Sequence, residues 1–598
     1  MFTRFIVAVF SRAVARVLWL GLILLASAAA SAAIVSTGDV KPPFALFDTV
    51  GSTKNFTVPT NPSSTNGGVY VGDVASGRLD IDNGWTLNST FGVLGNTSTS
   101  SFPSGSELFL TEGSAWNIRI DPTNPVFVRP DFDIGREGLG IAHVDLSSTL
   151  SVEWQTRLGT FAGGNGLLNL GAGSNLSTGS LVVGFAGAGD FTAGLSTVTT
   201  GWIEAGGEVG GTGQVNLSGA TVNSAGGINI GMHGSGTLNA FSGTTINSLF
   251  ADFGIDLKVV DGYSGLGSSV GNGLISGPFT VWNNSEGLVV AFNTRGSLTL
   301  QDGATVNTGF LEVARWGRVG TLTVDNATLS VAQNATFTAT PAFIVGTEAG
   351  SIGTATFSGP NTAVTVADDG FLEVARWSDD ATLNVTAGAD VSTHATYIAT
   401  EAGSVGVVNL GGAGTTWTGS SFIEVGRFGQ ATLNVHSGAT IVTENGRIAL
   451  GDSSLGSSAN LAGIGTRWTI NDYLTVGEAG TGSLIVSDGA TVDVGDFLSL
   501  GNSAGGAGTL DLSGSADDPE SPGNVVPSTV TSVYQIAVGN LGDGFAVVHQ
   551  GARLVTNKAD SPTASSGILG HFANAEGQLD VQGDNSIWTG NGAVQRRL

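Results

Sequence analysis

The sequence contains no cysteine, and the residues that favour helices are scarce. Among 598 residues there are only 2 methionines, and 12% of all residues are charged. Without cysteine, disulfides cannot stabilise an exported chain, and a thiolate zinc site is excluded. The six histidines show no metal-ligand spacing. We therefore expect no metal and no cofactor, and a fold that is stabilised by burial and backbone pairing alone.

Positive charge is also scarce. The chain has 22 Lys and Arg against 48 Asp and Glu, which gives a formal net charge of −26. Lysine occurs only at Lys41, Lys54, Lys258 and Lys558. So acidic a surface repels nucleic acid and anionic lipid, and we expect no nucleic-acid partner.

Glycine and small β-forming residues take the place of helix formers. Glycine accounts for 93 residues, and 41% of the chain is hydrophobic. Short alternating runs rich in Thr and Val lie between Gly, Asn, Asp and Ser, which is typical of short strands joined by tight turns. The composition predicts a folded all-β chain.

The N-terminus has the layout of a secretory signal peptide. Three arginines, Arg4, Arg12 and Arg16, precede the apolar run VLWLGLILLASAAA, and small residues follow it. This pattern predicts export with cleavage after Ala32, although an uncleaved anchor is the alternative.

A repeat of about 25 residues dominates the rest of the sequence. Its clearest copies are GSLTLQDGATV, ATLNVTAGADV, ATLNVHSGATI and GSLIVSDGATV. Each copy has about three short alternating runs, too few to form a core alone, so the copies must stack on one another. We predict an all-β, right-handed parallel β-helix (β-solenoid) with coils of about 25 residues. The predicted regions are a signal peptide, 1–32; irregular β-rich coils, 33–130; a weakly repeated solenoid, 131–250; a loop or insertion, 251–276; and a regular solenoid, 277–598, with a loop insertion at 515–530.

The string FLEVARW occurs twice, at Phe310–Trp316 and Phe371–Trp377. Related segments place it at the third strand and turn of each coil. Its first position is predicted to hold a stack of aromatic residues on successive coils: Phe310, Phe343, Phe371, Tyr397 and Phe422. The glutamates Glu312, Glu373 and Glu424 then face outward on alternate coils. Their separation of about 10 Å is near that of an inverting glycosidase pair, but outward strand positions are the favoured interpretation.

The arginine of FLEVARW predicts a structural charge ladder. Reading along the coils, the charges alternate through Arg315, Glu348, Arg376, Glu401, Arg427 and Asp452. Opposite charges at neighbouring-coil distance attract, so we expect Arg315 and Arg376 to flank Glu348. The rings of Trp316, Trp377 and Phe428 are expected to alternate with Ala349, Ala402 and Ser453. A platform on which sugars stack is the rival interpretation of these rings.

The repeats resemble a known group of exported proteins. Segments such as GTRWTINDYLTVGEAGTGSLIVSDGATVDVGDFLSLGNSAGGAGTLDLSG at 465–514 are similar to the repeats of type V secretion (autotransporter) passengers and of PEP-CTERM proteins. The resemblance is good over 277–592 and weak over 67–248. Neither a C-terminal membrane barrel nor a Pro-Glu-Pro sorting signal is recognisable, and neither is a capping coil.

The resemblance implies a non-enzymatic, Gram-negative protein of the cell surface or extracellular medium, with the periplasm as the alternative location. Adhesion, biofilm formation or surface structure are the expected roles, with extracellular glycans or proteins as partners. Membrane contact is expected only through the signal segment or a missing barrel. Two alternatives stay open: a carbohydrate-active β-helix of the lyase or glycosidase type, and a spacer without a ligand.

Overall fold

The computed structural model is a parallel β-solenoid of about 17 turns, with equivalent strands about 26 residues apart. The residues that it describes are 34–41, 53–56, 67–97, 105–120, 129–256, 269–316, 318–334, 339–367, 369–521, 523–556, 565–572, 574–590 and 593–596. The predicted signal peptide lies outside these residues. Within them, no helix is long and apolar enough to cross a membrane.

Each coil contributes a first strand to one sheet and a second and third strand to another. The first strands are Ile34–Gly38, Gly77–Ile81, Ser106–Leu110, Leu139–Val144, Asn165–Leu170, Ala188–Gly194, Thr212–Ser218, Ser235–Phe241, Val270–Ser276, Arg295–Gln301, Val319–Asp325, Ile352–Ser358, Asp380–Thr386, Val405–Gly411, Gln430–His436, Leu455–Ala462, Thr481–Ser487, Ala507–Ser513, Asp543–His549 and Gly577–Gln582.

In the other sheet, second and third strands alternate and are continuous in several coils. Its strands are Val40–Lys41, Thr53–Phe56, Val69–Val71, Thr86–Ser89, Gly92–Leu94, Ala115–Ile118, Phe132–Ile134, Thr149–Leu158, Asn175–Val183, Thr197–Ala205, Thr221–Ser224, Gly227–Ile230, Thr245–Phe253, Val281–Val290, Thr305–Thr308, Phe310–Val313, Thr328–Val331, Ala342–Val345, Ala363–Val366, Phe371–Val374, Asp390–Ile398, Thr416–Val425, Thr440–Ile448, Arg467–Ile470, Leu474–Val476, Thr491–Val494, Phe497–Leu500, Thr529–Ser532, Gln535–Val538, Arg553–Thr556, Ser565–Leu569, Ile587–Gly590 and Ala593–Arg596.

One continuous hydrophobic core fills the solenoid because alternate side chains of every strand point inward. In the strand Asp380–Thr386, for example, Ala381, Leu383 and Val385 are buried while their neighbours are not. The same position in successive coils is filled by Leu298, Leu322, Ala355, Leu383 and Val408, which pair in register. Each coil thus buries its inward face against the coils on either side.

The early region and the predicted loop 251–276 contribute strands to the same stack, whereas the insertion 515–530 holds a separate two-stranded sheet. Strands from 67 onward pair in parallel with the coils that follow, so the irregular region 33–130 adds coils to the solenoid. The predicted loop 251–276 contains the end of one third strand and the whole of the first strand Val270–Ser276. The insertion 515–530 contains the antiparallel pair Ser515–Asp517 and Val525–Pro527.

An antiparallel strand covers the N-terminal end of the stack. Ile34–Gly38 pairs antiparallel with Gly77–Ile81, and Val40–Lys41 pairs antiparallel with Val69–Val71. Ile34 is fully buried against the first coil. The sequence offers no capping repeat because this cover is a reversed strand and not a modified copy of the coil.

Candidate functional site

Between Phe310 and Phe422, the first position of the third strand holds an aromatic residue on every second coil only. Phe310 pairs with Ala342, which pairs with Phe371; Phe371 in turn pairs with Ala395, which pairs with Phe422. The predicted five-membered aromatic stack is therefore wrong for its alternate members. Its place is taken by a two-coil repeat in which phenylalanine alternates with alanine.

The two misplaced aromatic residues lie further along their strands. Phe343 pairs with Leu311 and is fully buried in the core. Tyr397 pairs with Glu373, two residues beyond its predicted position. The segment FIVG is apolar on both faces of its strand, so alternation alone does not fix its register.

Tyr397 still joins an aromatic cluster, although by a different geometry. Its ring centroid lies 5.9 Å from that of Phe371 and 5.4 Å from that of Phe422, both edge-on. The Arg427 guanidinium lies 4.5 Å from the centre of the Tyr397 ring. Partial burial raises the pKa of the Tyr397 hydroxyl, which Arg427 opposes and Glu424 reinforces.

The predicted charge ladder between coils is wrong. Each arginine folds back onto the glutamate three residues before it in the same coil. The Nε-to-Oε2 distances are 3.3 Å for Arg315 and Glu312, 2.7 Å for Arg376 and Glu373, and 3.4 Å for Arg427 and Glu424. The first and third are ion pairs without an aligned hydrogen bond to that oxygen. The predicted ladder contacts are thus replaced by a local pair that is repeated on every second coil. Glu424 also pairs with the next coil, where Arg447 Nη1 lies 2.9 Å from its Oε1.

Glu348 and Glu401 lie beside the tryptophans and not beside the arginines. The Arg376 amide donates to the Gly346 carbonyl and the Trp377 amide to the Thr347 carbonyl, which places Trp377 next to Glu348. Asp452 also lies beyond its predicted position beside Arg427. The Gly451 amide donates to the Arg427 carbonyl, so Gly451 aligns with Phe428 and Asp452 follows it. For Glu348 the one-residue error follows from anchoring the alignment on Phe343, whereas Phe310 pairs with Ala342.

Five side chains on consecutive coils form a row at the turn after the third strand, which we call the aromatic edge: Trp316, Glu348, Trp377, Glu401 and Phe428. The three rings are 40%, 49% and 39% exposed, and the two carboxylates are half-buried. Rings on alternate coils are separated by about 10 Å along the stack. The predicted small neighbours Ala349 and Ala402 come one residue later in the chain, and Ser453 comes two residues after Gly451, which aligns with Phe428. Phe428 instead covers Gly451, where an added Cβ would lie 2.2 Å from the ring.

Beneath the aromatic edge runs a row of outward strand positions that the turn covers. Glu373 and Glu424 are each 2% exposed, although they point away from the core. Burial raises the pKa values of Glu312 and Glu424, while Arg315 and Arg427 respectively oppose the shift. Further up the same row, burial raises the pKa of Asp252 to about 7.

The geometry of the carboxylate row suits anchoring of the turns better than catalysis. Glu312 and Glu373 are separated by a coil that contributes Ile344, and Glu373 and Glu424 by one that contributes Tyr397. Glu312 and Glu373 each pair with the arginine three residues later, and Glu424 also accepts a hydrogen bond from Arg447 of the next coil. These ion pairs tie the arginine of every second turn to the strand before it, which is a structural role.

A second cluster of charges lies in the weakly repeated region and was not predicted from the sequence. Arg157 Nη2 lies 3.0 Å from Asp131 Oδ2, and Arg157 Nε lies 2.7 Å from Asp133 Oδ1. Asp131 is buried, its Oδ1 has no hydrogen-bond partner, and burial raises its pKa. Aligning FDIG at Phe132–Gly135 with TRLG at Thr156–Gly159 would have placed Asp133 beside Arg157.

Within the described ranges, no group of three or more histidine, aspartate or glutamate side chains is arranged to hold a metal ion. No family profile matches the chain, and no curated protein or solved structure is significantly similar to it.

Proposed function

We propose that this chain is an exported bacterial solenoid of the cell surface or extracellular medium that acts without catalysis, by binding glycans or proteins along its aromatic edge. Adhesion, biofilm formation and surface structure are the roles that such binding serves. The export part of the proposal rests on the N-terminal sequence. The binding part rests on the exposed rings of Trp316, Trp377 and Phe428.

The aromatic edge has the features of a surface for extended polymers. Exposed indole and phenyl faces stack on apolar faces of sugars or on other aromatic groups. Glu348 and Glu401, between the rings, supply hydrogen-bond acceptors. Because the rings are mounted on hydrogen-bonded coils, little ordering entropy is lost when a polymer binds across several of them. Because the rings repeat along the stack, several weak contacts with one polymer act together and increase the overall affinity.

The test is a binding assay with the exported full-length chain. We expect the triple variant W316A/W377A/F428A to bind insoluble polysaccharides and bacterial cells at least tenfold more weakly than the unaltered chain. The matched control is F279A, because Phe279 is 85% exposed outside the aromatic edge. Melting temperatures confirm that both variants fold.

Unchanged binding by the triple variant would contradict the proposal for the aromatic edge. Absence of binding by the unaltered chain to every cell and polysaccharide would favour the spacer function instead.

Carbohydrate cleavage is the second candidate, because Asp131 is a buried carboxyl with a raised pKa that lies beside Arg157. A carboxyl whose pKa is raised by burial is a candidate general acid. The same polysaccharide incubations decide the matter. Soluble sugar ends that accumulate with the unaltered chain and not with D131N would replace binding by catalysis as the function.

A further inference from the structure

The corner between the second and third strands holds a buried hydroxyl in many coils and an apolar residue such as Val331 or Ile470 in others. Thr200 and Thr308 donate to the carbonyls of Trp202 and Phe310, at 2.8 and 2.9 Å. In other coils the hydroxyl also accepts the indole N–H of a tryptophan in the next coil: Ser89 from Trp116, Ser248 from Trp282, Thr393 from Trp417 and Thr443 from Trp468. Serine or threonine at this corner therefore has a repeated structural role.

Asn284 departs from this pattern. It pairs with Ser248 on the preceding coil. Its equivalent on the next coil is Thr308, because Asn283 pairs with Asn307. Its side chain is 2% exposed, and neither its Nδ2 nor its Oδ1 has a hydrogen-bond partner. Buried carboxamides without partners are uncommon because they lose their hydrogen bonds to water without replacement.

A cleft of about 420 Å³ opens at this corner, and we call it the carboxamide cleft. Three consecutive coils line it with Asn283, Asn284, Ser285, Asn307, Thr308, Ser330, Ala332, Gln333 and Asn334. Beside it, the second strand ends at Val331 and the third begins only at Ala342, whereas Gly309 alone separates the two strands one coil earlier. Asn334 donates to the Ser285 carbonyl at 2.6 Å and so ties the residues that follow Val331 to the rim.

The lining is uncharged in a chain whose net charge is −26. A charged ligand would lose hydration there without gaining a counter-charge. Carboxamides and hydroxyls instead match a neutral ligand with several hydroxyl groups, because one carboxamide both donates and accepts. Asn283 and Asn307 are already oriented by a hydrogen-bonded ladder, with 3.0 Å between the Asn307 Nδ2 and the Asn283 Oδ1.

We propose that the carboxamide cleft binds a neutral saccharide and that Asn284 is its anchoring residue. Asn284 is one of the residues that line the cleft, and its amide atoms are shielded from solvent in the free protein, so its side chain must turn into the cleft when the sugar binds. The unpartnered amide then gains the hydrogen bonds that the free protein lacks. This site is separate from the aromatic edge and stands whether or not the edge binds polymers.

The decisive variant is N284S, which restores the hydroxyl found at this corner in neighbouring coils. Saturation-transfer NMR and calorimetry are run on the full chain with cellotriose, maltotriose and triacetylchitotriose as neutral probes. We expect at least one trisaccharide to bind, and N284S to weaken it at least tenfold while its melting temperature stays equal or rises. The matched control is N434S, which removes a carboxamide from an external ladder far from the cleft.

Trigalacturonate and triglycine test the chemical class. Weaker binding of trigalacturonate than of the neutral sugars supports an uncharged site, and binding of triglycine in preference to every sugar overturns the saccharide assignment. The proposal also fails if no neutral probe binds, or if N284S binds as tightly as the unaltered chain. Trp377 lies outside the cleft, so we expect the variant W377A to keep its trisaccharide binding. This result distinguishes failure of the aromatic edge from failure of this site.

Discussion

Asp252 shows how a side chain on the outer face of a strand becomes buried. It lies in the row that continues through Val289 to Glu312, and the turns cover this row. Burial is the main reason that its pKa rises to about 7, with Arg315 opposing the shift and Glu312 adding to it. The folded protein therefore favours the protonated form of this carboxyl.

The pH dependence of stability follows from that shift. In the unfolded chain the Asp252 pKa is near 3.8, so its stabilising contribution is complete below that pH and is lost as pH rises toward 7. We expect D252N to be more stable than the unaltered chain at pH 8, by up to roughly 4 kcal/mol. The advantage should shrink through pH 5 and vanish near pH 4, as measured by urea unfolding at each pH.

D517N is the control for that series, since it removes one carboxylate from an exposed strand. Equal effects of D252N and D517N across the pH range would show that net charge, and not burial of Asp252, controls the difference.

The sequence correctly predicted which face of the strand each glutamate side chain lies on. It did not predict how deeply that side chain is buried. Alternation correctly places Glu312 and Glu373 on the outer face of the third strand. It gives no sign that Arg315 and Arg376 fold back over them, because that contact depends on the path of the turn. The sequence therefore predicted outward strand positions, and the structure shows these carboxylates to be nearly buried and ion-paired.

At the scale of the turn, the residue that follows each third strand adopts positive φ. Ala375 has φ of 63° in this position and Gly426 has φ of 77°. The glycine is needed because a Cβ on Gly426 would lie 2.0 Å from Ser457 Oγ. That hydroxyl is buried and accepts a hydrogen bond from the Ala431 amide at 3.0 Å, so it is not free to move away.

We expect G426A to destabilise the solenoid by about 3 kcal/mol, from left-handed strain together with the steric clash. G403A is the matched control: Gly403 has φ of 88° and open space around its Cα. It should lose only about 1 kcal/mol. The urea midpoints of the two variants measure the difference in stability. Similar losses of stability would mean that left-handed strain, and not the clash with Ser457, determines the effect.

The elements themselves were more predictable than their alignment. Strand and turn positions followed from the alternation in copies such as ATLNVTAGADV, because each inward residue is flanked by polar ones. Register failed at Phe343 and Tyr397, where aromatic residues occupy different strand positions in different coils. An aromatic residue marks the strand, but the turn residue with positive φ marks its end more reliably.

At the scale of the whole molecule, the export prediction fits the first strand of the stack. Cleavage after Ala32 would leave Ile34–Gly38 intact to cover the N-terminal coil. We expect the chain to be found outside the inner membrane of a Gram-negative host, with Ala33 as its first residue by N-terminal sequencing. L24R, which places a charge in the apolar run, should keep the chain inside the cell. Export of L24R, or an intact N-terminus on the exported chain, would contradict the cleavage prediction.

Along the aromatic edge, turns that carry Trp or Phe alternate with turns that carry Glu. This alternation also constrains how such a chain changes length during evolution. Loss or duplication of one coil would bring two tryptophan turns together, or two glutamate turns. Loss or duplication of two coils would keep the order of the aromatic edge. The heritable unit of this solenoid is therefore a pair of coils, and we expect related genes of different length to differ by such pairs along this stretch.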